Sequence, residues 1–148
     1  MIRFAVAIWC LVMSHAGAIA CVVIGDSIAK GTGRVMTECT TKAQGGLTSA
    51  EILGRLEQEQ GPAVVSAGTN DRRGDLTREQ TEQNLRAIRA KITGPVIWIL
   101  PVNRFRPIVE SVAASLGDRT VSFVPREHNV HPQSYEQLAD DVRAMLRR

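Results

Sequence analysis

Short β-branched, apolar runs that stop at glycine or proline alternate along this chain with segments of helical periodicity, and this alternation restricts the fold more than any other feature. Residues 21–24 end at Gly25, residues 63–66 follow Gly61-Pro62, residues 96–100 lie between Pro95 and Pro101, and residues 120–124 stop at Pro125. Continuous apolar runs of this length suit strands buried on both faces, as in a parallel sheet. A weaker strand falls at residues 39–43. Between these runs, residues 48–59 gather Ile52, Leu53 and Leu56 on one helical face, and residues 77–92 do the same with Leu85, Ile88 and Ile92. Residues 108–116 and 134–146 complete the helices, with Pro107 and Pro132 in the first turn, where a helix tolerates proline. The sum is an α/β domain of three layers, α/β/α, on a parallel sheet of about five strands with right-handed crossovers. Functional loops of such a sheet leave the carboxyl ends of its strands, so the residues after Ile24, Ser66 and Val124 carry the most information.

The first 20 of the 148 residues read as an address rather than as part of that domain. Arg3 supplies a positive start, residues 4–13 carry no charge, and Ala18-Ile19-Ala20 offers small residues for cleavage, the pattern of a secretory signal peptide. The expected organisation is therefore a signal peptide at 1–20 and one domain at 21–148, exported to a periplasm or secreted. Ten apolar residues are too few to span a bilayer, so no stable membrane insertion is expected. A lipoprotein reading, with Cys21 first, is weakened by Ala18, which stands where a lipobox usually has leucine. Of the three cysteines, Cys10 leaves with the signal, and Cys21 and Cys39 remain as a disulfide or as two buried thiols. Aromatic residues are only 4% of the chain, too few for a base-stacking surface, and a net charge of +3 implies no polyanionic partner. Nucleic acid is thus not an expected partner.

Three loops after strands carry candidate chemistry. Gly25-Asp26-Ser27 places a serine at a strand-to-helix turn, where backbone N–H groups support a nucleophile, although Asp-Ser also serves as a plain helix cap. Gly31-Thr32-Gly33 lacks the third glycine of a dinucleotide fingerprint. Gly68-Thr69-Asn70-Asp71 offers an asparagine amide that can meet a developing oxyanion, or an ordinary Asx turn. His128-Asn129-Val130-His131-Pro132 brings a histidine to a loop before the last helix. The three signals, each after its own strand, reinforce one another.

In this order the residues resemble the SGNH, or GDSL-type, hydrolase superfamily. The resemblance runs across the expected mature chain, through Val22-Val23-Ile24-Gly25-Asp26-Ser27, Gly45-Gly46-Leu47-Thr48, Gly68-Thr69-Asn70-Asp71 and Val130-His131-Pro132. It implies a flavodoxin-like sheet and a hydrolase of esters or acyl groups, with Ser27 as nucleophile and His131 as general base. The oxyanion donors would be the backbone N–H groups of Ser27 and Gly46 and the side chain of Asn70, with Gly45 a rival for Gly46. No cofactor is implied.

One position departs from the family. An acid usually stands three residues before the catalytic histidine, and here that residue is His128. Either Glu127 turns inward as a substitute, a backbone carbonyl orients the ring and leaves a Ser-His dyad, or the enzyme is impaired, because an imidazole in the wrong tautomer costs about 10⁴ in rate. His128 is expected in solvent, and a metal cluster of Glu127, His128 and His131 has only the three-residue histidine spacing in its favour. Asp26 and Asp71 are read as caps that shape the loops. Arg72, Arg73, Arg104 and Arg106 lie near the expected site edge, as surface cations or as anchors for an anionic substrate; Asn103 is a pocket residue, and Trp98 belongs to the core. The expected partner is a small-molecule or saccharide ester at an open, shallow site. Two other readings are a noncatalytic carbohydrate- or ligand-binding module and a flavodoxin-like phosphate- or nucleotide-binding domain.

Overall fold

The computed structural model describes residues 20–148; the expected signal segment, apart from Ala20, lies outside the described residues. The elements in chain order are β1 (Cys21–Gly25), α1 (Ser27–Val35), β2 (Cys39–Ala43), α2 (Ser49–Arg55), β3 (Glu59–Gln60), β4 (Ala63–Ser66), α3 (Arg78–Ala90), β5 (Ile92–Thr93), β6 (Val96–Ile99), α4 (Arg106–Leu116), β7 (Arg119–Val121) and α5 (Tyr135–Leu146). Five strands form one parallel sheet in the order β2-β1-β4-β6-β7. Numbered within that sheet alone, the order is 2-1-3-4-5, the flavodoxin-like arrangement, in which the chain reverses direction across the sheet beside the first strand.

Strand alternation sends side chains to two separate cores. Val22, Ile24, Val65 and Trp98 enter the layer with α2, α3 and α4, whereas Cys21, Val23, Val64 and Ile97 meet Ile28, Leu138 and Val142 of α1 and α5. Each strand of the centre is buried on both sides, which is why it reads as a continuous apolar run rather than as an alternating one. Trp98 is wholly buried in the core and donates its indole N–H to Asp118 at 3.0 Å.

The helices begin where side chains satisfy their orphan N–H groups. Thr48 and Thr77 each form a capping box, with Glu51 and Gln80 respectively, and Ser134 caps α5 through Gln137 N–H. Four expectations need correction. The 48–59 helix ends at Arg55 and the 77–92 helix at Ala90, because Leu56 turns to extended backbone and Glu59–Gln60 pairs with Ile92–Thr93 in a small second sheet, which makes Ile92 a strand residue. The last strand covers 119–121 rather than 120–124, since its neighbour in the sheet, β6, stops at Ile99, and the Val124 carbonyl is taken up instead by Gln133 N–H of the following loop. Pro107 does lie in the first turn of α4, but Pro132 precedes the Ser134 cap and bridges Pro125 instead.

Cys21 and Cys39 face each other across the β1–β2 register and form a disulfide. It staples the edge strand β2 to the sheet. Closing a loop of this length is worth about 3 kcal/mol in the chain-entropy model. Reduction is therefore expected to lower the urea midpoint clearly while leaving the folded baseline intact, and an unchanged midpoint would show that the bridge contributes nothing.

Candidate active site

Gly25 sets up the site. Its φ of +135° and the 1.9 Å gap that a Cβ would leave to the Ser66 carbonyl oxygen admit only glycine, so β1 can turn tightly against β4 before Asp26. Asp26 then caps α1, accepting from Ile28 N–H at 3.0 Å and from the Ser66 hydroxyl at 2.9 Å. Ser27 follows as the first helical residue, where a backbone N–H has no partner within the helix. The two glycines that follow serve packing: a Cβ at Gly31 would strike the Tyr135 ring, and one at Gly33 the Thr41 side chain.

Burial pushes the Asp26 carboxyl above its ordinary value, offset in part by the Ser66 hydroxyl, the nearby Thr69 hydroxyl and backbone N–H groups. Its Oδ2 and the Oγ1 of Thr69 are both buried without a hydrogen bond. A carboxyl raised in the fold favours folding most below its unfolded pKa, and that contribution is lost as pH rises through the folded value. Asp26→Asn keeps an oxygen for Ile28 and Ser66 and removes the charge. Its stability relative to the wild type should therefore increase from pH 4 to pH 8 in urea titrations; a constant difference would refute the assignment.

Asn70 and Asp71 leave β4 on a turn. Asn70 is buried and donates one amide N–H to the Leu47 carbonyl at 3.0 Å, which ties the β4 loop to the β2–α2 loop and leaves a second N–H. Gly45 lies over Ser27, with its missing Cβ 3.8 Å from Cβ of Ser27, and Gly46 turns the chain at φ +82°. Asp71 is wholly buried and accepts from Ser49 N–H (2.7 Å), Ser49 Oγ (2.6 Å) and Thr81 Oγ1 (2.7 Å). It thereby pins the starts of α2 and α3 to the loop that carries Asn70. Asn103 braces the same loop by donating to the carbonyls of Gly68 (3.3 Å) and Thr69 (2.9 Å), so its side chain is engaged in the scaffold.

His131 arrives from the far edge of the sheet, on the loop between β7 and α5. Gln133 N–H to Val124 O (2.9 Å) and Arg126 N–H to His131 O (2.8 Å) close this loop as a short antiparallel bridge. Nε2 of His131 lies 2.9 Å from Oγ of Ser27, although 104 residues separate them. Nδ1 lies 2.6 Å from Oδ1 of Asn129.

Glu127 does not fill the place of the acid. A turn closed by Asn129 N–H to Arg126 O, with His128 at φ +55°, sends the Glu127 and His128 side chains outward, where they are 90% and 92% exposed and 3.5 Å from each other. The ring nitrogen expected to meet Glu127 or a carbonyl meets Asn129, a residue that sequence reasoning passed over. Its signal was present, because asparagine two residues before a partner commonly bonds that residue's backbone N–H. Among the described residues, no group of three or more His, Cys, Asp or Glu side chains is placed to hold a metal ion. At the rim, Arg72 and Arg73 are exposed, Arg104 stacks on Phe105 at 4.9 Å, and Arg106 is engaged by Glu110 and Ser122. A cavity of about 470 Å³ lies behind the β2–α2 loop between Ile24, Gln44, Leu47 and Arg55; neither Ser27 nor His131 lines it.

No family model matches the sequence, and no curated protein does. Solved structures do match. A Bacteroides fragilis protein named for an inferred acylhydrolase activity superposes with a TM-score of 0.65 at 17% identity, over 87% of this chain and 86% of that one. A member of the lipolytic G-D-S-L family from Veillonella parvula gives 0.60 at 16% identity, over 87% and 98%. The psychrotrophic esterase EstA of Pseudoalteromonas sp., in a structure inhibited by monoethylphosphonate, gives 0.60 at 13% identity, over 87% and 97%. The chain has the fold of the GDSL/SGNH hydrolases.

Proposed function

We propose that this protein is a serine hydrolase that cleaves carboxylic esters through an acyl-enzyme. The observation that carries the reading is the 2.9 Å contact between Ser27 Oγ and His131 Nε2 at the carboxyl edge of a GDSL-type sheet. An alcohol is a weak nucleophile, so His131 removes the Ser27 proton as Oγ attacks the acyl carbon, then gives it to the departing alkoxide. Water, activated by the same imidazole, releases the acid and restores Ser27. The tetrahedral oxyanion is met by the N–H of Ser27, the free N–H of Asn70 and a backbone N–H of the Gly45-Gly46 turn, Gly46 being the family's position. No cofactor enters this chemistry.

The substrate class follows from the expected address: an acetyl or acyl ester on a small molecule or an envelope saccharide. The Cys21–Cys39 disulfide supports export, because such bridges persist in oxidising compartments. Arg72 and Arg73, exposed beside the Asn70 loop, are suited to an anionic group on the substrate.

The test is hydrolysis of p-nitrophenyl acetate together with stoichiometric labelling by a serine-directed phosphonate. Asn70→Ala should lower kcat by about 10²–10³ with a smaller effect on KM, because its free N–H strengthens only as the oxyanion forms. A protein that neither hydrolyses the ester nor takes the label is not a serine hydrolase.

A further inference from the structure

An imidazole acts as a base toward Ser27 only if Nε2 is bare, which requires the proton on Nδ1. What fixes it there is not obvious when the neighbour is an amide. An asparagine can turn either its oxygen or its NH₂ toward a ring, and the NH₂ would hold the proton on Nε2, the wrong tautomer. In this protein a second group decides. The Asn129 atom that meets Nδ1 at 2.6 Å is also the atom that the His131 backbone N–H approaches at 3.1 Å. A backbone N–H can only donate. The shared atom must therefore be an acceptor, and a flipped amide would set two donors against each other.

We propose that Asn129 is the positioning residue of the site: its Asx turn onto His131 N–H locks Oδ1 toward the ring, keeps the proton on Nδ1 and leaves Nε2 free to take the proton of Ser27. The inference deepens the serine-hydrolase reading and rests on it for its catalytic meaning. The geometry also explains how the loop dispenses with an acid at position 128. The turn that gives His128 its positive φ carries that side chain into solvent and brings the next residue round beneath the ring. A neutral amide supplies orientation without a charge. Because the Asn129 contact is solvent-exposed, water competes for it, and its loss is expected to be modest rather than complete.

The experiment is nitrogen NMR of the protein labelled with ¹⁵N-histidine, at a pH where the ring is neutral, with His131 assigned by its absence in His131→Gln. Wild-type His131 should carry its proton on Nδ1 with Nε2 bare. Asn129→Ala should shift the ring toward the Nε2-protonated form and lower kcat/KM for p-nitrophenyl acetate about tenfold. Asn129→Asp presents a carboxylate oxygen to the same two donors and should preserve the Nδ1 proton and restore at least the wild-type rate. A wild-type ring protonated on Nε2, or a tautomer unmoved in Asn129→Ala, overturns the inference. A correct tautomer in a protein that takes no phosphonate label would leave Asn129 in its assigned role and bring down the hydrolase reading instead.

Discussion

Ser27→Ala is expected to lower kcat/KM for short p-nitrophenyl esters by about 10⁴-fold or more and to abolish phosphonate labelling. The size follows from the role proposed for the residue. Without Oγ no acyl-enzyme forms, and His131 faces a methyl group in place of a hydroxyl 2.9 Å away. The oxyanion donors remain and sustain only the residual acceleration that binding and electrostatics give over water. Ser27 is half-exposed at the first turn of α1, and the cap beneath it is made by Asp26, so the substitution should leave folding intact. Unchanged circular dichroism with lost activity is the expected pair of results. Activity that survived would move the reaction elsewhere and put the noncatalytic binding reading first for this site.

Asp71→Ala should act through stability. The carboxylate receives three short hydrogen bonds in a wholly buried place, and a fourth, from Asn84 to Ser49 Oγ at 3.0 Å, depends on the same arrangement. Each orphaned buried donor costs about 1–3 kcal/mol, so a loss of roughly 3–9 kcal/mol is expected from the three donors, Ser49 N–H, Ser49 Oγ and Thr81 Oγ1. That is a large part of the stability of a domain this size, typically about 5–15 kcal/mol in total. Chemical denaturation checks it. A change under about 1 kcal/mol would show that water replaces the carboxylate and that the loop is not held by Asp71.

The layers of the fold were legible because burial on both faces leaves a direct trace in composition. β1, β4 and β6 are unbroken apolar runs, and their ends at Gly25, Ser66 and Ile99 lie within one residue of the sequence expectation. β3 and β5 were not legible. Glu59–Gln60 and Ile92–Thr93 are two residues each, with no periodicity to read, and they become strands only because the chain brings them side by side. Leu56 shows the same limit from the other direction: it is buried, as a helical face would have it, but as an extended residue just past the end of α2.

The site divides in the same way. By itself the sequence determined that Ser27, Asn70 and His131 each follow a strand of one parallel sheet, since strand order and loop position are written in local patterns of hydrophobicity and turn residues. Only the tertiary structure decided which neighbour meets Nδ1 of His131. Glu127, His128 and Asn129 are adjacent in the chain, and any of them is within reach on spacing alone. The choice was made by a single turn, closed by Arg126 and bent at His128, which rotates two of the three into water and folds the amide of the third back onto the ring. That turn places the ring only because the loop, closed on itself across Pro125 and Pro132, is carried by the sheet to Ser27, 104 residues away in the chain, a meeting that no local pattern records.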